Sequence, residues 1–223
     1  DAEPRGEVLV LREARVDLDD RDAHAPVDGL ADVVVQEEEE LPAQFGFELA
    51  GVIDDIAKRK LLLKRYDEAR ESYRKALDLI GKIKDLPSDL RAKLTASVYH
   101  QLGRVAQEQR QWSEAESYYK QALQIDIDFN DRHSQASTYH QLGRVAEAQQ
   151  QWEQTRAYLL EALAIYSEYR DDHNGGIVLR SLARVWKASG DPELPKAMAG
   201  GLGVSPEEVE ELLRRSLPPP GRG

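Results

Sequence analysis

Cysteine is absent from the 223 residues, and there are only one methionine and three phenylalanines. Without cysteine there is no disulfide framework, no thiolate zinc or iron–sulfur site and no cysteine nucleophile. That composition suits a reducing compartment, so the expected location is cytoplasmic. No run approaches the ~18–20 uncharged apolar residues of a membrane-spanning helix, so no membrane role is expected. Also absent are G-x-x-x-x-G-K-[ST], G-x-S-x-G, H-E-x-x-H and a dinucleotide fingerprint. No nucleophile–base–orienter set stands out, so the expectation is a protein that is not an enzyme and takes no cofactor. Met is missing at the start, and no charged-then-apolar leader follows Asp1. That start predicts a processed chain or a piece of a longer polypeptide.

Positive charge is scarce at one end only. The net charge is −11. Residues 1–48 hold 15 acids against 4 Lys/Arg, which accounts for all of it, and residues 49–223 hold 26 of each. The acidic runs are Asp17–Asp22 and Glu37-Glu38-Glu39-Glu40, with Pro4, Pro26, Gly29 and Pro42 between and around them. High charge with little apolar periodicity predicts an acidic, mostly disordered leader over 1–46, or a remnant of an upstream domain. Only Val8–Leu11 and Val33–Val35 are apolar and β-branched enough for short strands.

What the rest has is repetition. Tyr99-His100-Gln101-Leu102-Gly103-Arg104-Val105-Ala106 returns forty residues later as Tyr139-His140-Gln141-Leu142-Gly143-Arg144-Val145-Ala146. Aligning 94–133 on 134–173 gives 19 identities in 40 positions. A shift of 46 brings Tyr66, Ala69, Tyr73 and Ala76-Leu77 under Trp112, Ala115, Tyr119 and Ala122-Leu123. A shift of 40 brings Leu182-Ala183-Arg184-Val185 under Leu142-Gly143-Arg144-Val145. Val98, Leu102, Val105 and Ala106 recur at helical steps, and Trp112, Ala115, Tyr119 and Ala122 form the stripe of a second helix. Small Ala and Gly between large aromatics interlock as ridges and grooves. The spacing predicts repeats over about 47–86, 88–130 and 131–171, with a degenerate fourth over 173–217. Gly200, Gly201 and Gly203 are expected to break the chain. Ser205-Pro206-Glu207-Glu208 reads as an N-cap, a first-turn Pro and a capping box, opening a terminal helix with Val209, Leu212, Leu213 and Leu217 on its apolar stripe. Residues 218–223 read as a flexible tail.

The pattern Tyr99-x-x-Leu102-Gly103-x-x-Ala106, then Trp112-x-x-Ala115-x-x-x-Tyr119-x-x-Ala122, resembles the tetratricopeptide repeat. The resemblance covers about 49–190. It implies an all-α fold, a right-handed superhelical solenoid of antiparallel helix pairs, here with a C-terminal capping helix. The ~40-residue period further resembles the repeat arms of bacterial signal-transducing ATPases and regulators. The first repeat departs most, with Ala57 for Gly and Lys60 at a packing position, which predicts an irregular helix pair there.

In solenoids of this kind one face of each first helix lines a concave groove. Lys58, Arg104, Arg144 and Arg184 take equivalent places on it, joined by Ser97, His100, Gln101, Glu108, Ser137, His140, Gln141 and Arg180. Arg presents a planar fork suited to carboxylate or phosphate. The resemblance therefore implies a protein–protein interaction module whose groove binds a partner protein or an acidic peptide segment. Glu37, Glu38, Glu39 and Glu40 could occupy the same groove intramolecularly. The opposing reading pairs these cations internally, Arg104 with Glu108 and Arg144 with Glu147. A family member with a chaperone-tail clamp would carry Asn and Lys where this chain has His100, Arg104, His140 and Arg144, so that ligand is not expected. Other readings are a sensor arm of a signal-transducing NTPase with no ligand of its own, self-association through an open repeat end, and, least favoured, nucleic-acid binding. Metal binding is not expected either, because no ligands join His100 and His140 at metal spacing.

Overall fold

The computed structural model describes residues 43–217. The expected strands, the acidic runs including Glu37–Glu40 and the tail over 218–223 lie outside the described residues.

Every element among the described residues is helical. The helices are α1 (Ala43–Leu62), α2 (Tyr66–Lys82), α3 (Ser88–Glu108), α4 (Trp112–Asp128), α5 (Arg132–Ala148), α6 (Trp152–Glu168), α7 (Asp172–Ser189), α8 (Glu193–Leu202) and α9 (Pro206–Ser216). By packing, the chain divides into two units, one ending at Arg110 and the other starting at Gln111. The division falls between the two helices of the second sequence repeat, so the helices of one repeat belong to different units.

Three-residue turns force successive helices back on themselves. The turns 63–65, 129–131, 149–151 and 169–171 share one geometry. Their central residues, Lys64, Asn130, Gln150 and Arg170, are left-handed, with φ of 59°, 54°, 59° and 52°. Each donates its N–H three residues back, as Gln150 does to the Glu147 carbonyl at 2.9 Å, and the next residue donates five back, as Gln151 does to Ala146 at 3.0 Å. This pair of bonds is the Schellman closure, which satisfies carbonyls the helix end leaves open. Its left-handed position normally favours Gly, and four larger residues hold it here.

The wider first spacing has a simple cause. The α2–α3 turn is two residues longer than the α4–α5 turn, and α3 has 21 residues against 17 for α5, one extra turn of helix. Together these supply the six residues by which 46 exceeds 40. Arg91, in that extra turn, donates to the carbonyls of Ile80 and Ile83 and so closes the C-terminus of α2.

In the first unit Ile56, Ala57 and Leu61 of α1 are buried with Ala69, Tyr73, Ala76, Leu79 and Ile80 of α2. The helix pair is regular despite Lys60. Its side chain is largely covered, and Nζ reaches the Ser72 hydroxyl at 3.4 Å and the Glu68 carboxylate at 3.9 Å. In the second unit the core runs through Leu159, Ala162 and Ile165 of α6, Val178, Leu182 and Val185 of α7, Leu194 and Met198 of α8, and Val209 and Leu213 of α9. Gly143 lets α5 approach α6, because a Cβ built on it would sit 2.7 Å from Leu159 Cδ2.

The C-terminal end corrects one expectation and bears out another. Gly200 and Gly201 are helical, inside α8, and the break comes at Gly203, with φ of 68°. The capping box is present: Glu208 N–H donates to Ser205 Oγ at 3.2 Å, and Ser205 N–H to Glu208 Oε2 at 2.8 Å.

Candidate functional site

Of the expected residues, Lys58, Ser97, Arg104, Glu108, Arg144, Arg180 and Arg184 are exposed, whereas His100, Gln101, Ser137, His140 and Gln141 are half-buried. In the first unit, α1 carries Lys58, and α3 carries Ser97, His100, Gln101, Arg104 and Glu108. Lys58 is bonded to Asp54 one turn back at 2.5 Å. Arg104 is exposed and donates to Gln101 Oε1 at 3.1 Å. In the second unit, Ser137, His140, Gln141 and Arg144 lie on α5, and Arg180 and Arg184 on α7. Arg144 repeats the Arg104 arrangement, donating to Gln141 Oε1 at 3.1 Å. Identical octapeptides thus reproduce the same side-chain hydrogen bond in separate units.

Internal pairing occurs, but between different residues from those expected. Glu147 receives a two-pronged bond from Arg184 of the next helix, Nε and Nη2 each at 2.7 Å from a carboxylate oxygen. This fork-to-fork geometry is the strongest form of the pair. It holds the Arg184 guanidinium more firmly protonated than usual, first through the hydrogen bonds. Arg144, one turn before Glu147 on α5, keeps a neutral partner instead.

The two histidines are not surface bases. Burial, followed by the adjacent Arg144, depresses the His140 imidazole to about 4, and its Nε2 lies 3.4 Å from the Ser181 hydroxyl on α7. Burial and Arg104 do the same to His100. Both are therefore neutral at physiological pH and act as hydrogen-bonding groups. His133 packs edge-on against Tyr166 and Tyr169, at 5.7 and 5.6 Å, with Nε2 3.2 Å from Asp171. No group of three or more potential ligands that could hold a metal occurs among the described residues. Nor is any helix among them long and apolar enough to cross a membrane.

A family model described as the tetratricopeptide repeat matches residues 55–128 and 134–194. The chain belongs to the tetratricopeptide-repeat family. Members of this family are, in general, interaction scaffolds, and this chain is a protein-interaction module of that kind. Among solved structures the tetratricopeptide-repeat chain is similar to BtubC (BKLC) from P. vanneervenii, at 18% identity and a TM-score of 0.66, over 98% of this chain and 88% of that one. It is similar to a putative kinesin light chain from Podospora anserina at 17% identity and a TM-score of 0.62, over 94% and 92% of the two chains. It is also similar to the Rap conjugation gene regulator of plasmid pLS20, in complex with the Phr* peptide, at 14% identity and a TM-score of 0.58, over 96% of this chain and 60% of that one. At these identities the likeness is one of fold. None of the curated proteins compared with it matches.

Two features of this tetratricopeptide-repeat protein escaped the sequence reading. One is Asp126, buried on α4 with its carboxylate 3.4 Å from the Thr138 hydroxyl on α5. The repeat register gave the signal: Asp126 falls where the neighbouring repeats place Ile80 and Tyr166, and Thr138 where they place Val98 and Val178. A polar pair has replaced an apolar one at a core position. The other is a cleft of about 570 Å³ between α7 and α9, lined by Ile177, Arg180, Ser181, Arg184, Lys187, Ser216 and Leu217. Lys187 lies seven residues after Arg180 and three after Arg184, so α7 bears the three cations along one face. The spacing and the terminal helix were visible in the sequence, whereas the cleft between them was not.

Proposed function

We propose that the protein binds an acidic peptide segment of a partner protein through the polar face of its first helices, as a non-catalytic part of a larger cytoplasmic signalling or regulatory protein. The observation that carries this reading is the exposed Arg at one repeat position, Arg144 and Arg184 in the second unit and their counterpart Arg104 in the first; among the described residues Arg104 and Arg144 hydrogen-bond only to neutral Gln. A guanidinium with a neutral partner keeps its charge available to a carboxylate. The similar Rap regulator, solved with a peptide, is a case of this fold taking such a ligand.

A second reading rests on the Arg184–Glu147 and Lys58–Asp54 pairs, which spend charge inside the fold. It makes the chain a structural sensor arm of a signal-transducing NTPase with no ligand of its own. Affinity capture with the full chain, and with the full chain carrying Arg104→Glu and Arg144→Glu, separates the two. A captured protein is identified, purified and rebound to both forms, with helix content checked by circular dichroism. Loss of rebinding in the doubly substituted form supports the groove. Undiminished rebinding moves the interaction elsewhere, and no capture supports the sensor arm.

A further inference from the structure

We propose that the cleft between α7 and α9 is the anchor point of that acidic peptide, and that it takes a segment carrying carboxylates on either side of a branched apolar side chain. The inference rests on the peptide-binding reading above and names its subsite. Three observations converge on it. First, the lining is charged on one side only: Arg180, Arg184 and Lys187 contribute cations, and no carboxylate is among the lining residues. Second, Arg184 alone of these is neutralised, by Glu147; among the described residues Arg180 and Lys187 make no ion pair. Third, the remaining lining residues are Ile177, Leu217 and two serines, so apolar side chains share the cleft with the cations. A volume of about 570 Å³ falls in the range of ligand-binding pockets.

This chemistry selects against other ligands. An inorganic anion would leave Ile177 and Leu217 unused. A nucleic acid would need more than two uncompensated cations and gains little from Ile177 and Leu217. An acidic peptide with Leu or Ile between its carboxylates matches all three surfaces. Arg180 and Lys187 are seven residues apart on α7, or about 10 Å along its axis. That spans about three residues of an extended peptide. The expected motif therefore has two acids, two to four residues apart, flanking the apolar residue. Ser181 ties the cleft to the rest of the face, since its hydroxyl is also the neighbour of His140.

The test uses a fluorescein-labelled peptide Asp-Glu-Leu-Leu-Glu-Asp and the full chain, read by fluorescence anisotropy. A second full chain with Glu37, Glu38, Glu39 and Glu40 replaced by Gln removes competition from the protein's own acidic run. Binding to either chain should weaken at least about tenfold with Arg180→Glu plus Lys187→Glu. It should weaken again when the two Leu of the peptide become Ser. Both altered residues are exposed on α7, and an unchanged thermal midpoint confirms the fold. Undiminished binding in that variant, with loss in Arg104→Glu plus Arg144→Glu, overturns the cleft and leaves the wider groove reading standing. No binding of the peptide to either chain, or binding that none of the substitutions alters, overturns both. Preference for an oligonucleotide over the peptide overturns the ligand class.

Discussion

Replacing Asp126 with Asn should stabilise the protein, and more so as the pH rises. The carboxyl is buried at the α4–α5 contact, its proton affinity raised to about 7 from an ordinary 3.8. Burial is the main cause and the negative charge of Asp131 the second, opposed by the hydrogen bond from Thr138. A raised carboxyl proton affinity means that the fold prefers the neutral acid. The stability tied to this preference is fully present below the unfolded value near 4. It is lost as the pH rises through 7, because the unfolded chain gives up its proton first. At 1.36 kcal/mol for each tenfold change in proton affinity, the full loss is on the order of 4 kcal/mol, an upper bound because water and small shifts relax a buried charge. His100 and His140 titrate in the opposite sense, their charged forms disfavoured down to about 4. As the pH falls from their unfolded value through 4 they destabilise the fold, so the wild-type profile alone is not diagnostic. The difference between wild type and Asp126→Asn removes their contribution. Urea unfolding followed by circular dichroism should show that difference growing by about 2–3 kcal/mol between about pH 5 and about pH 8. A difference that is the same at both pH values, or a variant less stable at both, would refute the argument.

Glycine substitutions should divide by sign. Gly143→Ala should destabilise by up to about 2 kcal/mol, because overpacking Leu159 outweighs the helix propensity gained, whereas Gly81→Ala, with open space around it, should stabilise by a few tenths to about 1 kcal/mol. Thermal midpoints decide, and Leu159→Ala should cost less in the Gly143→Ala background than alone. Gln150→Gly should raise stability by about 0.5–1 kcal/mol, since it relieves a left-handed residue at φ 59° and pays back part of that in unfolded-chain entropy. A lower midpoint in denaturant would count against it. Ser205→Ala should cost about 1 kcal/mol by removing the N-cap of α9, seen as faster amide exchange in that helix with little change in α5.

The helices were legible because the repeat writes its packing twice. Leu102 and Leu142 recur in register and are both buried, as are Ala122 and Ala162. The α9 cap was legible because its three signals, Ser205, Pro206 and Glu208, are local. Gly200 and Gly201 misled, because a glycine pair weakens a helix without ending it when Leu194 and Met198 anchor its other face. The partners of the candidate site were the least legible. From sequence, Glu147 pairs with Arg144 at three residues' distance. In the fold Arg184, 37 residues away, reaches it with both nitrogens. Contacts between helices depend on how the helices lie against each other, and no local spacing encodes that.

The shared turn has a consequence for how such a chain can change over generations. Gln109-Arg110-Gln111 and Gln149-Gln150-Gln151 both end a first helix with a left-handed central residue, and both are followed by Trp. The coding sequence between these two points is a module with matching ends. Unequal crossover there would delete or duplicate one whole repeat length and leave the backbone at the junction unaltered. Repeat number can therefore vary by inheritance in discrete steps, while the residues inside a repeat vary independently by point mutation.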